Sequence, residues 1–458
     1  MTLALSLARF AVETTVEEID PLALERARMC LASTVASAAM GYGIASARIV
    51  RALELEEGGA PVATVWFADC KLPLTRAVRV NAVASDAAAS DDSDMRSIAH
   101  IGTIVSTAAL AVAEQTGASG REVLAAMVMG YEIAGRIDES LTPGRMQRGF
   151  HGSVSTVFGA AVAAGRLLGL SVPQMAHALS LAATSIGGMA ISADTSCARE
   201  YHAGSSVMTG VQAATAAGRG FEGELGVLEL PRGFLSALGG QAIEDITHGL
   251  GESWDIVTDM AIKLMPGAHP FHATAEAAAD AAEKARQGHG HLQPADIERV
   301  VISAAVQWTN FKGDPHPRNL VDAAHSLVYF VAAAIVDGGF GWRHMDEAVM
   351  ADPVIAALQD KVTFDPAPPP LPDRFPHRHG GTVTIHMKDG RVFSSTCRAP
   401  RGSGPRGVEW LDIRDKYRQL APLGGMSDAA VTESFACLRT FDGADAVARL
   451  VALLGRPG

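Results

Sequence analysis

The chain has 458 residues, which exceeds the usual length of a domain built around a single hydrophobic core, so two domains are expected. Its net charge of −12 argues against nucleic acid and anionic membranes as partners. Its five scattered cysteines form no CxxC pair, which argues against a disulfide scaffold, a zinc site and an iron–sulfur cluster, and favours a reducing compartment.

The N-terminal stretch "MTLALSLARFAVETTVEEID" is apolar at first, lacks a basic start and soon turns acidic. This pattern argues against a secretory signal peptide. No apolar run reaches the length of a membrane span, and "IVSTAALAVA" stops at Glu114. We therefore expect a cytoplasmic protein without a membrane partner.

Helical spacing of small apolar residues dominates the chain between residues 20 and 245, with Pro21 suited to a first helical turn. Ser119 and Glu122 form a capping pattern at the start of another helix. The predicted helical stretches cover 21–40, 78–89, 103–117, 119–137, 155–170, 172–190 and 205–220. The exception is "APVATVWFA", which favours a small edge hairpin or an extended segment. The alanine- and glycine-rich stripes predict a tightly packed helical bundle.

The pattern changes after about residue 265. Residues 297–308 alternate as a strand does, residues 322–339 are helical, and "DPAPPPLPDRFPHRHGG" is a proline-rich connector. Asp389-Gly390 then joins two alternating runs, which predicts a β-hairpin. A helical tail follows from about Glu409. The chain is thus predicted to form a large all-helical body over residues 1–265, rejoined by 405–458, and a smaller α+β lid domain over 266–404.

The first candidate site is "ASDDSDMRSIAHIG", which contains Asp91, Asp92, Asp94 and His100. Adjacent carboxylates in a partly buried site split their pKa values, so one holds a proton while another stays ionised. His100 adds a group that titrates near neutrality. An acid–base site is therefore one interpretation. A solvated loop between helices, with helix-capping residues, is the other.

The second candidate is "RMQRGFHGSVSTVFG", in which Arg145 and Arg148 precede His151 and the start of a small-residue helix. Backbone amides at such a start favour anions. A capping loop with a surface histidine explains the same stretch.

The third candidate, "TSCAREYHAGSSVMTG", places Arg199 and His202 ahead of another small-residue helix. A guanidinium suits a carboxylate because it donates two parallel hydrogen bonds, although a surface salt bridge is the alternative.

The fourth candidate, "IKLMPGAHPFHATAEA", places Lys263 before a turn and His269 and His272 before a helix. The i, i+3 histidines lack an acidic partner at a helpful offset, which argues against a metal site. The chain also lacks a nucleotide-binding glycine motif and a GxSxG nucleophile elbow.

Taken in order, these stretches resemble the MmgE/PrpD family over nearly the whole chain. Its motif N-G-x-A-A-H-x-x-D-F-D-D-[TS]-H, followed by H-P, is similar to "NAVASDAAASDDSDMRSIAHIG". Its G-W-H-P-T resembles "GFHGS", and its M-x-K-R-L-H-A-G resembles "SCAREYHAG". Its GFTG…LEG…GF region resembles "GFEGELGVLELPRGF", and its K-x-x-P…H resembles "KLMPGAHPFH". The later helix and hairpin match as well.

The resemblance implies a large helical domain, a smaller α+β lid, a site between them and a homodimer that needs no metal or organic cofactor. The family's named activities include 2-methylcitrate dehydratase, cis-aconitate decarboxylase and iminodisuccinate epimerase. The positions that the resemblance assigns to the site are Asp91, Asp92, His100, His151, His202, Lys263 and His272.

Several residues depart from the family pattern. Asp86 and Asp94 stand where histidines are usual, and Ala89 replaces an aspartate. Arg199 occupies the position of the family's site lysine, next to Glu200 where an arginine is common. Ile101 replaces a proline. These exchanges alter both the groups that carry protons and the geometry of anion binding, so a divergent substrate or reaction outcome is expected.

These features predict a cofactor-independent lyase that removes a proton α to a carboxylate in a small di- or tricarboxylic acid. The expected catalytic residues are Asp91, Asp92, His100, His151 and Lys263. Asp94, Arg148, Arg199, His202 and His272 are expected to bind substrate. Lys263 and Arg199 would stabilise enolate charge, His151 or an aspartate would act as base, and His100 would return the proton or protonate a leaving hydroxyl.

Dehydration is the first predicted outcome. A decarboxylase and an epimerase or isomerase are the alternatives within the same family, and a non-catalytic metabolite-binding relative is the alternative of another class.

Overall fold

The computed structural model describes residues 1–185, 187–241, 243–290, 292–309, 311–369, 371 and 379–455. The chain forms two compact units. The first comprises Met1–Ala193, Cys197–Ile262 and Glu409–Gly458, and the second comprises Asp194–Ser196 and Lys263–Val408.

The first unit is built almost entirely of helices. Its helices are α1 (Leu3–Glu13), α2 (Pro21–Gly41), α3 (Ala45–Glu57), α4 (Leu74–Ala87), α5 (Ile101–Thr116), α6 (Gly120–Leu141), α7 (Gly144–Gln147), α8 (Ser153–Leu167), α9 (Val172–Ala182), α10 (Ala190–Thr195, whose last residues fall in the second unit), α11 (Ala198–Gly218), α12 (Phe234–Leu238) and α13 (Asp255–Thr258). Two short antiparallel pairs accompany them, β1 (Ala63–Thr64) with β2 (Lys71–Leu72) and β3 (Ser93–Asp94) with β4 (Met260–Ala261).

Helix α8 lies at the centre of the first unit and packs against α5, α6 and α11. Small residues allow this close packing. A methyl group built on Gly130 of α6 would lie 2.8 Å from the carbonyl oxygen of Gly159 in α8. A methyl group on Gly210 of α11 would lie 2.6 Å from the carbonyl oxygen of Val157. The glycines are therefore required because neighbouring helix backbones touch at these points.

The second unit combines helices with a four-stranded sheet. Its helices are α14 (His272–His289), α15 (Leu320–Ala324), α16 (Leu327–Asp337), α17 (Glu347–Met350) and α18 (Pro353–Gln359), and its strands are β5 (Ile297–Ala304), β6 (Val362–Phe364), β7 (Gly381–Met387) and β8 (Val392–Cys397). The strand order is β6-β5-β7-β8, with β6 parallel to β5 and the other pairs antiparallel. Helix α14 packs on β7 and β8. Buried Val383 and Ile385 alternate with less buried neighbours along β7, as a sheet with one covered face requires.

Three C-terminal helices belong to the first unit: α19 (Trp410–Leu420), α20 (Asp428–Arg439) and α21 (Ala446–Gly455). Helix α19 packs against α2. The predicted fold class, mostly α with a small sheet in the C-terminal part, is confirmed, because 59% of the described residues are helical and 8% are strand.

Most predicted elements are present, with some different boundaries. The hairpin at Asp389-Gly390 is confirmed. The stretch 60–68, predicted as a small edge hairpin or an extended segment, contains β1, which pairs with β2 beyond that stretch. The predicted helix 322–339 is divided into α15 and α16, because Ser326 caps the second helix by accepting from the amide of Tyr329. The helix predicted over 172–190 ends at Ala182. Within the predicted connector 365–381, residues 370 and 372–378 lie outside the described part of the chain.

In the part of the chain that the structure describes, no single helix is both long and apolar enough to cross a membrane. One bent pair, Pro21–Gly41 with Ala45–Glu57, meets the criteria of length and composition together. Most residues of the first helix of that pair are buried within the protein.

Candidate active site

The row of acids runs from the last turn of α4, which contains Asp86, to the segment before α5, and it is buried. Asp86, Asp91, Asp92 and Asp94 are each at most 1% exposed. The backbone of this segment is fixed, because β3 pairs with β4 and the amide of Met95 donates to the carbonyl of Asp259. The interpretation of this segment as a solvated loop is therefore wrong. Four buried carboxyl groups need protons, cations or donors as partners, and the structure gives each a different one.

Asp91 and His100 form a hydrogen-bonded pair. His100 Nδ1 lies 2.7 Å from Asp91 Oδ2 and 3.6 Å from Asp86 Oδ1. Because an ionised carboxylate only accepts, His100 must carry a hydrogen on Nδ1. In this orientation Nε2 is the ring nitrogen of His100 that does not contact Asp91. His100 is held there because it directly precedes α5.

His100, His151 and His202 form a row of three imidazoles, which we call the histidine row. The ring centroids of His100 and His151 are 5.9 Å apart, and those of His151 and His202 are 6.0 Å apart. The three side chains come from the start of α5, the segment before α8 and the first turns of α11. The structure thus brings together residues from three of the four predicted stretches.

His151 is the central residue of the histidine row. Burial, followed by the nearby His100 and Arg145, lowers its pKa well below the ordinary 6.5, so its ring is neutral at pH 7. Its Nδ1 accepts a hydrogen bond from the amide of Ser153 at 3.3 Å. In the neutral ring the hydrogen is then on Nε2. His151 is therefore suited to donate a hydrogen bond from Nε2 rather than to act as the first base.

Arg199 lies in the first turn of α11, because that helix begins at Ala198 rather than at the predicted residue 205. Its Nε donates to Asp86 Oδ2 at 2.8 Å, and its Nη2 donates to the backbone carbonyl of Asp86 at 2.5 Å. The side chain of Asp86 is 1% exposed and that of Arg199 is 11% exposed. The neighbouring Glu200 is buried, which raises its pKa to about 7. In the sequence Asp86 stands out as a departure from the family pattern, whereas its contact with Arg199 is visible only in the structure.

Asp92 faces the interior of the helical unit. Its Oδ1 accepts from the amide of Gly102 and its Oδ2 accepts from the hydroxyl of Tyr131, both at 2.8 Å. Burial raises its pKa to about 6. A methyl group on Gly102 would lie 2.0 Å from the same carboxylate, so this contact needs a glycine. One oxygen of Asp92 thus holds the start of α5 and the other holds Tyr131 of α6. The predicted catalytic role of Asp92 stays a prediction.

Asp94 belongs to a separate ion cluster centred on Arg96. Its Oδ1 accepts from the amides of Arg96 and Ser97 at 2.7 and 3.0 Å. The Arg96 guanidinium also contacts Asp255 at 2.8 Å and Asp259 at 3.5 Å. Burial raises the pKa of Asp94 to about 6. The partners of Asp94 in the structure thus belong to this cluster, and its predicted role in substrate binding stays a prediction.

The two arginines before His151 also have structural partners. Arg145 is buried and makes a two-pronged contact with Asp138, at 2.8 Å from Nε and 2.9 Å from Nη2. Arg148 is exposed and donates to the backbone carbonyls of Ser236 and Ala237 near the end of α12. The structure thus gives Arg148 backbone acceptors rather than directing it at the histidine row.

Lys263 and His272 lie in the second unit, where they form a cluster with His269 and His379. The ring centroids of His269 and His272 are 4.9 Å apart, and those of His269 and His379 are 6.0 Å apart. Lys263 is 1% exposed. Burial, followed by the charge of Lys263, lowers the pKa of His272 well below 6.5. His379 was not predicted, because it ends the proline-rich connector and no spacing ties it to His269.

Asp86, Asp91 and His100 could together hold a metal ion, since one donor atom from each lies within 4.8 Å of the others. Two contacts favour a proton-transfer group instead. The 2.7 Å between Asp91 Oδ2 and His100 Nδ1 is a hydrogen-bond distance. The positive charge beside Asp86 is already supplied by Arg199. The prediction that no metal is needed stays a prediction.

The comparisons with known proteins agree with the resemblance. Sequence models of the MmgE/PrpD N-terminal and C-terminal domains match residues 5–245 and 269–438. A cis-aconitate decarboxylase of Homo sapiens is 29% identical over 367 residues, which cover 78% of this chain and 75% of that protein. The Mus musculus enzyme of the same name is 28% identical, over 78% of this chain and 74% of its own length. A cis-aconitate decarboxylase of Aspergillus terreus is 24% identical over 92% of this chain and 89% of its own. The chain therefore belongs to the MmgE/PrpD family.

Proposed function

We propose that this protein is a lyase that acts on a small carboxylic acid and uses the Asp91–His100 pair for proton transfer. The observation that carries the proposal is the 2.7 Å contact between Asp91 Oδ2 and His100 Nδ1 beside two further histidines. Family membership and the named activity of three relatives support the same reaction class. These relatives lead us to place decarboxylation first.

In a decarboxylation the bond between the carboxyl carbon and its neighbour breaks, carbon dioxide leaves, and the electron pair stays on the remaining carbon. That carbon then takes a proton from Nε2 of His100, whose imidazolium form Asp91 stabilises. His151 Nε2–H is suited to donate to an oxygen on which charge develops, since a neutral imidazole can fill that role. Water afterwards restores the proton of His100.

Dehydration is the second candidate, and the same pair favours it. A neutral His100 accepts the α-proton at Nε2 and passes it to the leaving hydroxyl, so that water departs and a carbon–carbon double bond forms. Epimerisation uses the same abstraction, followed by return of the proton to the other face. We propose that Lys263 and His272, at positions that the resemblance assigns to the site, contribute to binding and to charge stabilisation.

The test is to incubate the purified protein with cis-aconitate, 2-methylcitrate, citrate and unsaturated C5 dicarboxylic acids and to follow the products by ¹³C NMR. Release of carbon dioxide supports the decarboxylase, and loss of water supports the dehydratase. Activity retained in EDTA is expected. If no acid in the panel reacts, the proposal of a lyase is wrong for these substrates. We also propose a cytoplasmic homodimer, which light scattering after size-exclusion chromatography tests for its oligomeric state.

A further inference from the structure

Two residues that depart from the family pattern meet in space although 113 positions separate them in sequence. Arg199, where the resemblance expects a lysine, donates from Nε to Oδ2 of Asp86, where it expects a histidine, at 2.8 Å. A second hydrogen bond runs from Nη2 of Arg199 to the backbone carbonyl of Asp86. The resemblance expects a lysine and a histidine, which both carry positive charge when protonated. This chain has an ion pair at the same two positions.

The pairing changes the charge that an incoming anion meets at the histidine row. The negative charge of Asp86 offsets the positive charge of Arg199. The charge of Asp138 in the same way offsets that of the buried Arg145 nearby. Asp91 adds a further negative charge beside His100. Each arginine close to the row therefore has its own aspartate, and the described part of the helical unit supplies little uncompensated positive charge at this place.

One hydrogen-bonding edge of Arg199 stays open. Its two bonds to Asp86 use Nε and Nη2, and no described residue accepts from Nη1. Asp86 Oδ1 is buried without a hydrogen-bond partner among the described residues, 3.6 Å from His100 Nδ1. The pair thus offers a donor to one carboxylate, while the negative charge of the buried Asp86 repels a second.

We infer that the Asp86–Arg199 pair selects a dicarboxylic acid, with one carboxylate fewer than the cis-aconitate named for the relatives. The inference rests on the proposed function and specifies its substrate class. Two like charges about 6 Å apart at an effective dielectric constant of about 20 alter an equilibrium by roughly a hundredfold. A third carboxylate brought near Asp86 is therefore disfavoured by about ten- to a hundredfold.

The experiment measures binding separately from turnover. Calorimetry compares unreactive tricarballylate, a tricarboxylate, with glutarate, a dicarboxylate, on the wild-type protein and on Asp86→Asn, which keeps the shape and removes the charge. The wild type is expected to bind glutarate more tightly. Asp86→Asn is expected to shift the ratio of the two dissociation constants towards tricarballylate by about tenfold or more.

Asp86→His, which installs the residue that the resemblance expects, is a second variant and should shift the ratio in the same direction. Glu54→Gln is the matched control, because it removes the acid of another largely buried ion pair, with Arg79, in the same unit. It should leave the ratio unchanged.

An unchanged ratio in both Asp86 variants, a wild-type preference for tricarballylate, or binding of neither acid overturns the inference. Failure of the proposed function has a different signature. The dissociation constants would then shift as expected while no carboxylic acid is turned over.

Discussion

Asp91 Oδ2 lies 2.7 Å from Nδ1 of His100, while the carboxylate of the next residue, Asp92, accepts from Tyr131 and from the amide of Gly102. Two adjacent aspartates in one turn therefore point to different surroundings. One orients an imidazole, and the other fixes the helix that begins immediately after that imidazole. The position of the His100 ring depends on both aspartates. Of the two, only Asp91 contacts this ring, which is proposed to exchange a proton.

Asp91→Asn is expected to lower kcat by about a hundredfold or more. The amide does not stabilise an imidazolium, and its NH₂ group favours the wrong tautomer of His100. Asp92→Asn is the matched variant, with the same chemical change one position away, and is expected to lower kcat less than tenfold. Steady-state kinetics with the substrate found by NMR makes the comparison. Equal losses in the two variants would show that Asp91 has no special part in the reaction.

The stability of Asp92→Asn should depend on pH in a defined direction. Burial raises the pKa of Asp92 from 3.8 to about 6 in the folded protein. Ionisation of this carboxyl therefore disfavours the folded state above pH 6, by roughly 3 kcal/mol at most, and the penalty disappears as pH falls through 6 towards 3.8. Relative to wild type, Asp92→Asn should gain more stability at pH 8 than at pH 4.

Denaturant unfolding of both proteins at the two pH values measures this difference, and the other titrating groups cancel because both proteins share them. A relative stability that is the same at pH 4 and pH 8 would mean that Asp92 has an ordinary pKa.

Lys416 is expected to stabilise the segment that carries the buried aspartates. This lysine of α19 is 2% exposed, and its Nζ donates to the Ser90 carbonyl at 2.6 Å and to Ser33 Oγ at 2.8 Å. Lys416→Met leaves these buried acceptors without that donor, so the free energy of unfolding should fall by about 1–3 kcal/mol. Arg418→Met, an exposed change on the same helix, is the control. Equal melting temperatures for the two variants would contradict this role.

Lys263→Ala is expected to lower turnover by orders of magnitude without unfolding the protein. Lys263 is buried in the second unit, and the proposal gives its charge a part in binding or stabilising an anion. Lys284→Ala removes an exposed lysine of the same unit, one that donates to the Ser394 carbonyl, and should retain activity. Kinetics and circular dichroism on both variants separate chemistry from folding. Near-normal rates in Lys263→Ala would remove this lysine from the mechanism.

Sequence patterns predicted the fold well because helical periodicity and turn chemistry are local. The alanine stripes, the Ser119 cap and the Asp389-Gly390 turn each act over a few residues, and the structure has helices and a hairpin there. Helix ends were less predictable. Helix α11 includes Arg199 and His202, whereas its start was predicted at residue 205. The prediction began too late because the charged first turn lacks the periodicity of small residues.

The sequence singled out most of the residues that the structure brings together, but not the partners of each one. The spacing of Asp91, Asp92 and Asp94 does not show which carboxylate points inward, because that depends on partners such as Tyr131 and Arg96 that are distant in sequence. The pairing of Asp86 with Arg199 was likewise hidden, although each residue was noticed separately as a departure. Only the three-dimensional arrangement shows that the two exchanges compensate each other in charge.

The most direct test of the central claim is deuterium incorporation by wild type and His100→Gln in D₂O, followed by NMR with the reactive acid. The wild type should release product with deuterium at the carbon that is protonated after carbon dioxide leaves, or at the α-carbon that is reprotonated in an epimerisation. His100→Gln, correctly folded, should form this product at least a hundredfold more slowly. Deuterated product formed at a wild-type rate by His100→Gln would contradict the assignment of proton transfer to the Asp91–His100 pair.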